Sequence, residues 1–292
     1  MQVGIVKGDR AFLPEAEAYA DFLDSNGISV KVYRCFQLAD KECQVVICFM
    51  GFLPFWVRKS SRLIVEYHSL SVGKMGRLKD VLKRLLNVRG DYRFFLNSTV
   101  REKLWFSEEN CTYRPMGYVQ KYVDEYRNEK KIFDFVYSGK LNRVGVVDAI
   151  AFISRLGFSV AVVGDSESEV YPEWKDLCIK RFGIIELSES YRVMASAKYG
   201  LNFMPDEFPL NVQDSTKLIE YCALGLRVVT TRYKWVDTFE HKYAARFLDY
   251  NTLSSKESVE EFPFKSGDVS QLSWDVILSD SKLDMLVKQL LV

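Results

Sequence analysis

Residues 210–231, LNVQDSTKLIEYCALGLRVVTT, decide the reading of this chain. Their order is a short polar loop, a helix, a glycine stop and a buried strand. Asp214 or Ser215 is placed to cap the helix, because a side-chain oxygen there accepts from the unpaired N–H groups of the first turn. Gly225 stands where a left-handed C′ residue is wanted, and the β-branched run VVTT follows as a strand. A helix start of this kind offers backbone donors and a partial positive charge, which suit a phosphate. Lys217 adds a full charge in the first turn, and Glu220 lies about one turn further along nearly the same face. One helix thus presents a cation for phosphate and a carboxylate for sugar hydroxyls. Helix–glycine–strand is by itself also ordinary α/β punctuation.

The segment resembles the nucleotide-binding motif of GT-B glycosyltransferases, close to the large retaining family that builds bacterial surface glycans. In that family a Lys or small residue precedes a hydrophobic-hydrophobic-Glu triplet, and the tail reads EY-x-A-x-G-x-x-VV. Lys217, Glu220, Tyr221, Ala223, Gly225, Val228 and Val229 match as they stand. The resemblance covers most of the second half of the chain and the first half in outline. It implies an α/β protein of the GT-B class, with two Rossmann-like domains facing a central crevice. The expected division is 1–128 for the acceptor, 129–270 for the nucleotide sugar, and a C-terminal helix over 271–292 that crosses back to the first domain.

Length and composition agree with that outline. At 292 residues the chain has room for two α/β domains, each of about 100–200 residues with its own core. Lys and Arg number 40 against 39 Asp and Glu, so the molecule as a whole is no polyanion binder. Cysteines at 35, 43, 48, 111, 178 and 222 form no C-x-x-C, which argues against a zinc site and for reduced thiols in the cytoplasm. MQVGIVKGDR reads as a strand, not a signal peptide. No apolar run approaches the roughly 20 residues that span a bilayer.

Along the chain, strands are predicted at VGIV, ISVKVY, QVVICFM, LIVEYH and YRFFLNS. Helices are predicted around Leu13, Ala16, Ala20 and Leu23, from about Gly76 to Val88, and from Thr99 to Trp105. Residues 120–132, charged and without a clean apolar period, read as a linker. FDFVYSG then opens a second α/β unit, whose helix carries Val146, Ile150 and Ile153 and stops at Gly157. SVAVVG, YRVMASA and GLNFMP supply a strand, a helix and a strand, and WDVILSDSKLDMLVKQLLV reads as one terminal helix. Alternation of this kind implies βαβ units and a largely parallel sheet, with ligands at the carboxyl ends of the strands.

Several candidate residues follow from position, and the resemblance gives them roles. Gly139, Lys140 and Arg143 lie in the loop after FDFVYSG, where cations can grip a diphosphate by charge-assisted bonds. In the resembled family a Gly-Lys-Leu here supplies a phosphate cation, which Lys140 matches, and Arg143 stands in for a second. Gly164 closes the next strand in the manner of the family's VGxG; Asp165 and Ser166 follow, Asp165 reading as a turn residue. Gly183 to Glu186, with Ile185 among them, fall where backbone groups hold the nucleobase, and Tyr191 reads as packing. Asp214, Ser215 and Thr216 supply the phosphate-facing helix start, with Glu220 on the ribose.

His68, at the end of LIVEYH, reads either as a structural residue or as a crevice histidine. The resemblance implies a bond to a sugar hydroxyl or, in an inverting enzyme, a general base. Glu66 points to the same side of the strand. The family's first Glu falls on Val212, leaving Asp206, Glu207 or Asp214 to replace it, and only Gly8 follows the first strand in place of a Gly-Gly pair. No D-x-D stands at a suitable strand end, so metal independence is expected, with no cofactor beyond the donor substrate.

The implied activity is sugar transfer from a nucleotide diphosphate sugar to a glycan or lipid-linked glycan, in surface polysaccharide or lipopolysaccharide synthesis. A nucleotide-sugar epimerase and a non-catalytic, membrane-docking partner of a transferase remain as alternatives. Between Phe52 and Lys103, 12 Lys and Arg stand against 4 Asp and Glu. With Phe52, Phe55, Trp56 and a leucine stripe, that face suits an anionic membrane surface or is simply a solvated basic face. No nucleic-acid-binding motif accompanies it.

Overall fold

The computed structural model describes residues 2–7, 13–49, 53–164 and 171–291. Gly8, Phe52, Asp165 and Ser166 lie outside the described residues. The chain divides into two compact units. The first gathers Met1–Gly117, Val212–Asp214 and Leu272–Val292, and the second Tyr118–Asn211 and Ser215–Gln271.

The first unit holds strands β1 (Gln2–Val6), β2 (Ser29–Tyr33), β3 (Val45–Phe49), β4 (Arg62–Tyr67), β5 (Tyr92–Phe95) and β6 (Cys111–Tyr113). They form one sheet in the order β2-β1-β3-β4-β5-β6, parallel throughout. The helices are α1 (Pro14–Ser25), α2 (Phe36–Glu42), α3 (Gly76–Leu86) and α4 (Ser98–Lys103). Proline at its first position opens α1, and Gly27, at φ +75°, turns the chain out of it into β2. Val46, Leu63, Val65, Tyr67 and Phe95 meet Phe36, Val100 and Leu104 in the core on one face of this sheet.

The second unit adds helix α5 (Gln120–Tyr126), strand β7 (Phe133–Ser138), helix α6 (Val146–Arg155), strands β8 (Val160–Val163) and β9 (Ile179–Arg181), and helix α7 (Leu187–Ala195). It continues with β10 (Ala197–Asn202), α8 (Thr216–Ala223), β11 (Arg227–Thr230), α9 (Lys234–Tyr243), β12 (Leu248–Asp249) and α10 (Lys256–Glu260). Its sheet runs β12-β11-β10-β7-β8-β9, again all parallel. The order is that of the doubly wound dinucleotide fold. Connections leave β7 in one direction through β8 and β9 and in the other through β10 to β12, so the switch point lies between β7 and β10. Phe135, Tyr137, Ile150, Ile153, Val160, Tyr199 and Leu201 build the core on one side.

Two predicted elements differ. Residues 120–132 hold α5, not a bare linker: Val123 alone is buried along it, too little apolar spacing to show a period. The terminal stretch is two helices, α11 (Trp274–Asp280) and α12 (Leu283–Leu291). Lys282 breaks them at φ +53°, while Leu283 and Val287 restart the buried face. Neither short α2 nor β6 was anticipated, since three to seven residues carry too little pattern to stand out from loop.

Candidate functional site

In the second unit the ends of β7 and β10 bring the Lys217 helix to the glycine loop. Gly200 in β10 has no side chain because the Tyr221 ring occupies the place: a Cβ there would lie 2.3 Å from Tyr221 Cδ2. Across that contact the Tyr221 hydroxyl reaches the end of β7, where it accepts from the Ser138 amide at 2.9 Å. At the other end of the turn, Ser215 Oγ donates to Asn202 Oδ1 at 2.8 Å. Asn202 Nδ2 in turn donates to Thr230 Oγ1 and to the Tyr233 hydroxyl. Helix α8 is therefore pinned to the carboxyl ends of β7, β10 and β11.

These bonds correct the expected capping. Ser215 is the N-cap residue, but its hydroxyl is used on Asn202 and makes no cap bond. Asp214 instead accepts from the Met116 amide at 2.9 Å, within the first unit. The first helical amide bond in the turn is Ile219 N–H to Ser215 O at 3.1 Å. The amides of Thr216, Lys217 and Leu218 are left as the donor end of α8.

Lys217 lies over this end. Its ammonium stands 4.4 Å from the centre of the Tyr137 ring and 3.4 Å from its hydroxyl. A Cβ added to Gly139, which sits at φ +142°, would come within 3.1 Å of Lys217 Nζ. Burial, reinforced by the Arg143 charge, holds the ammonium well below the ordinary lysine range against the pull of Glu220. Arg143 Nη1 is buried with no hydrogen-bond partner among the described residues. Among the described residues neither cation forms a salt bridge. A desolvated Lys217 beside the half-buried Arg143 and the helix-start amides is a costly arrangement that an anion would stabilise.

Around this core, Gly164 (φ +97°) packs on the Gly139 backbone, and its amide donates to Gly183 O at 2.8 Å. Gly139 N–H in turn donates to Val163 O. Ile185 is half-buried in the loop before α7. Glu220 is buried and accepts from the Tyr191 hydroxyl at 3.1 Å, and that hydroxyl also accepts from the Val119 amide. Lys140 is exposed, and its carbonyl accepts from the Tyr137 hydroxyl. Asp206 and Glu207 are exposed, Asp206 holding Asn211 Nδ2 at 2.9 Å.

The first unit holds a cluster of another kind. His68 follows β4 and is bonded on both ring nitrogens: Nε2 to Glu66 Oε2 at 2.6 Å and Nδ1 to Glu15 Oε1 at 3.0 Å. Arg114, 1% exposed, also grips Glu66 Oε2, with Nε at 3.1 Å and with Nη2. Its guanidinium lies 4.8 Å from the Trp274 ring and 5.5 Å from Tyr19. Burial and Arg114 push the imidazole down, yet the bonds to Glu15 and Glu66 outweigh them and raise its pKa. Burial would raise Glu66, but Arg114 and His68 bring it down to about 2. His68 Nε2 thus lies between Glu66 Oε2 and Arg114 Nη2, 2.6 Å from each, and the raised pKa favours the protonated ring.

Sequence reasoning passed over Tyr137, Asn202, Glu15, Tyr19 and Arg114. Asn202 and Arg114 each stand at or just beyond the carboxyl end of a strand, a position that could have singled them out. The others come together only through packing.

No protein-family model and no curated protein matches the chain. Among solved structures, AviGT4, a glycosyltransferase involved in avilamycin A biosynthesis, superposes over 100% of this chain and 98% of its own, with TM-score 0.66 and 13% identity. The glycotransferase of kitacinnamycin covers 100% and 99% with TM-score 0.54 and 9% identity. The wall teichoic acid polymerase TagF, solved with CDPG, covers 99% of this chain and 88% of its own, with TM-score 0.53 and 10% identity. At such identities the likeness is one of fold: the chain has the two-sheet α/β fold of these glycosyltransferases, the GT-B fold.

Proposed function

We propose that the protein is a glycosyltransferase that takes its sugar from a nucleotide diphosphate sugar. The observation that carries this reading is the pair of a desolvated Lys217 and Arg143, whose Nη1 is buried, without a salt bridge among the described residues, at the switch point of the second sheet. A diphosphate is the ligand that matches two cations and a row of helix-start amides. On this reading the amides of Thr216 and Lys217 and the Lys217 ammonium stabilise the charge that builds on the leaving diphosphate. Lys140, on the rim of the same loop, joins them when a ligand draws it in. Glu220, held by Tyr191, takes the ribose hydroxyls, and backbone groups about Ile185 take the base. The metal-independence expected from the sequence rests on these fixed donors supplying the stabilisation.

The acceptor on this reading is a glycan or lipid-linked glycan bound by the first unit. The pathway is synthesis of a surface polysaccharide or lipopolysaccharide in the cytoplasm, where six free thiols are at home. His68, expected from the sequence to meet the transferred sugar, has both ring nitrogens held within the first unit by Glu66 and Glu15 and takes a structural role on this reading. Retention of configuration, inferred from the resemblance, belongs to the same proposal. The test is to incubate the protein with a panel of nucleotide diphosphate sugars and to measure nucleoside diphosphate release with and without glycan acceptors. Acceptor-dependent release that Lys217→Ala abolishes supports transfer. An isomerised nucleotide sugar with no diphosphate released assigns an epimerase instead, and no turnover of any donor overturns the enzymatic reading.

A further inference from the structure

Helix α3 is amphipathic in the wrong sense for a surface helix. In a soluble domain the apolar stripe faces the core and the polar residues face water. Here the buried residues are Gly76 and Asp80, and Asp80 accepts from the Ser71 amide at 3.0 Å. The opposite face carries Met75, Leu78, Leu82 and Leu85, which are 59%, 48%, 41% and 68% exposed. Their spacing of three and four residues makes one continuous stripe. Arg77, Lys79 and Arg84 are exposed on its flanks, and the helix's one acidic residue is the buried Asp80. Phe55 and Trp56, 61% and 63% exposed, are tied to the end of the helix, where Phe55 N–H donates to Leu86 O at 2.7 Å.

Beside the last turn of α3 lies a cavity of about 380 Å³. Lys83, Arg84, Arg89 and Arg93 line it against a single carboxylate, Glu109. The Arg84 and Arg93 guanidiniums lie 4.7 and 4.9 Å from the same Phe106 ring, which holds two like charges together. Among the described residues Arg84, Arg89 and Arg93 form no salt bridge. Burial and the neighbouring Arg84 and Arg89 charges depress Arg93 below the usual arginine range. A phosphate in this cavity would meet donors on several sides.

We propose that α3 docks on an anionic bilayer, its leucine stripe entering the hydrocarbon while the arginine-lined cavity beside it takes a lipid headgroup phosphate. Charge selects the occupant. An apolar stripe flanked only by cations, next to a cationic cavity, complements an anionic membrane and would repel a second copy of itself. This surface lies wholly in the first unit and stands whether or not the second unit transfers sugar.

The test is co-sedimentation of the full chain with vesicles of phosphatidylcholine alone and of phosphatidylcholine with phosphatidylglycerol, across salt concentration. Binding to the anionic vesicles is expected to be roughly tenfold or more tighter, and to weaken as salt rises. Replacing Leu78, Leu82 and Leu85 together by Ser, or Arg84 and Arg89 together by Glu, is expected to remove most of it. Should either variant fail to fold, Leu82→Trp gives a second reading: a blue-shifted emission on anionic vesicles supports insertion, and an unchanged spectrum overturns it. Inorganic phosphate serves as the third arm. Phosphate that raises the melting temperature while vesicles fail to bind assigns a free-anion site and overturns docking. Dimerisation that the Leu→Ser variant abolishes, without vesicle binding, also overturns it.

Discussion

The two ionic clusters of this protein are built on opposite principles. In the first unit Arg114 and His68 face Glu66 and Glu15, two basic side chains against two carboxylates, in bonds of 3.1 Å or less. Among the described residues of the second unit, Lys217 and Arg143 are brought together with no salt bridge to either, and Arg143 Nη1 has no partner. A balanced buried network holds a fold in register, and loss of one member strands the rest. A cluster with an excess of cations, Lys217 and Arg143 against the one carboxylate Glu220, costs stability by itself and gains it from an anionic ligand. On the proposed reading, charge balance is what distinguishes a structural cluster from a binding one.

The largest effect is expected where the balanced cluster is broken. Arg114→Met leaves Glu66 buried without its main partner and should cost about 3–5 kcal/mol in urea unfolding. Protonation should do part of the same damage. Glu66 is depressed from 4.5 to about 2, so its contribution is complete above the ordinary carboxylate range and fades as pH falls toward 2. His68 is raised, so its contribution is complete below pH about 6.5 and is lost as pH climbs through the raised value. Denaturation curves across pH should show both flanks in the wild type and neither at full size in Glu66→Gln.

Lys217→Met sharpens the contrast from the other side. It should leave stability unchanged or raise it, because a desolvated cation is exchanged for an uncharged thioether chain of similar length. Turnover should fall by about 10²–10³-fold, as when one fixed transition-state donor is removed. A stability loss comparable to that of Arg114→Met would break the distinction between the two clusters. Gly139→Ala should be milder, about 1–3 kcal/mol, since its Cβ presses on Lys217 Nζ from a backbone at φ +142°. Isothermal titration with the favoured nucleotide would read it as weaker binding. Smallest of all, Ser215→Ala removes one bond to Asn202 and should cost about 0.5–1.5 kcal/mol of thermal stability.

Much of the second unit was legible in the sequence, because its signals are local. Gly225 at φ +72° ends α8 as its position required. Lys217 and Glu220 fall in α8, at its start and one turn on, and Gly139 and Gly164 close successive strands. What could not be read was the competition for each polar group. Ser215 has the chemistry of a cap, yet a buried asparagine thirteen residues earlier in the chain, Asn202, takes its hydroxyl. Asp214 likewise goes to a backbone amide at Met116. His68 and Glu66 were placed on one side of a strand, but Arg114 and Glu15, which set their charge states, lie far off in sequence. The leucines of α3 were visible as a stripe; that they face outward is a property of packing.

The central claim is that Lys217 and Arg143 await a diphosphate, and nucleotide-dependent thermal unfolding tests it most directly. A panel of UDP, GDP, ADP, CMP and dTDP is compared in EDTA. A ligand at 100 times its dissociation constant should add about 2.7 kcal/mol, several degrees at about 2–4 °C per kcal/mol for a chain of this size. The account predicts that one nucleoside diphosphate stands out, that CMP does not, and that Lys217→Met erases the response. A flat panel, or a shift that survives Lys217→Met, would contradict it.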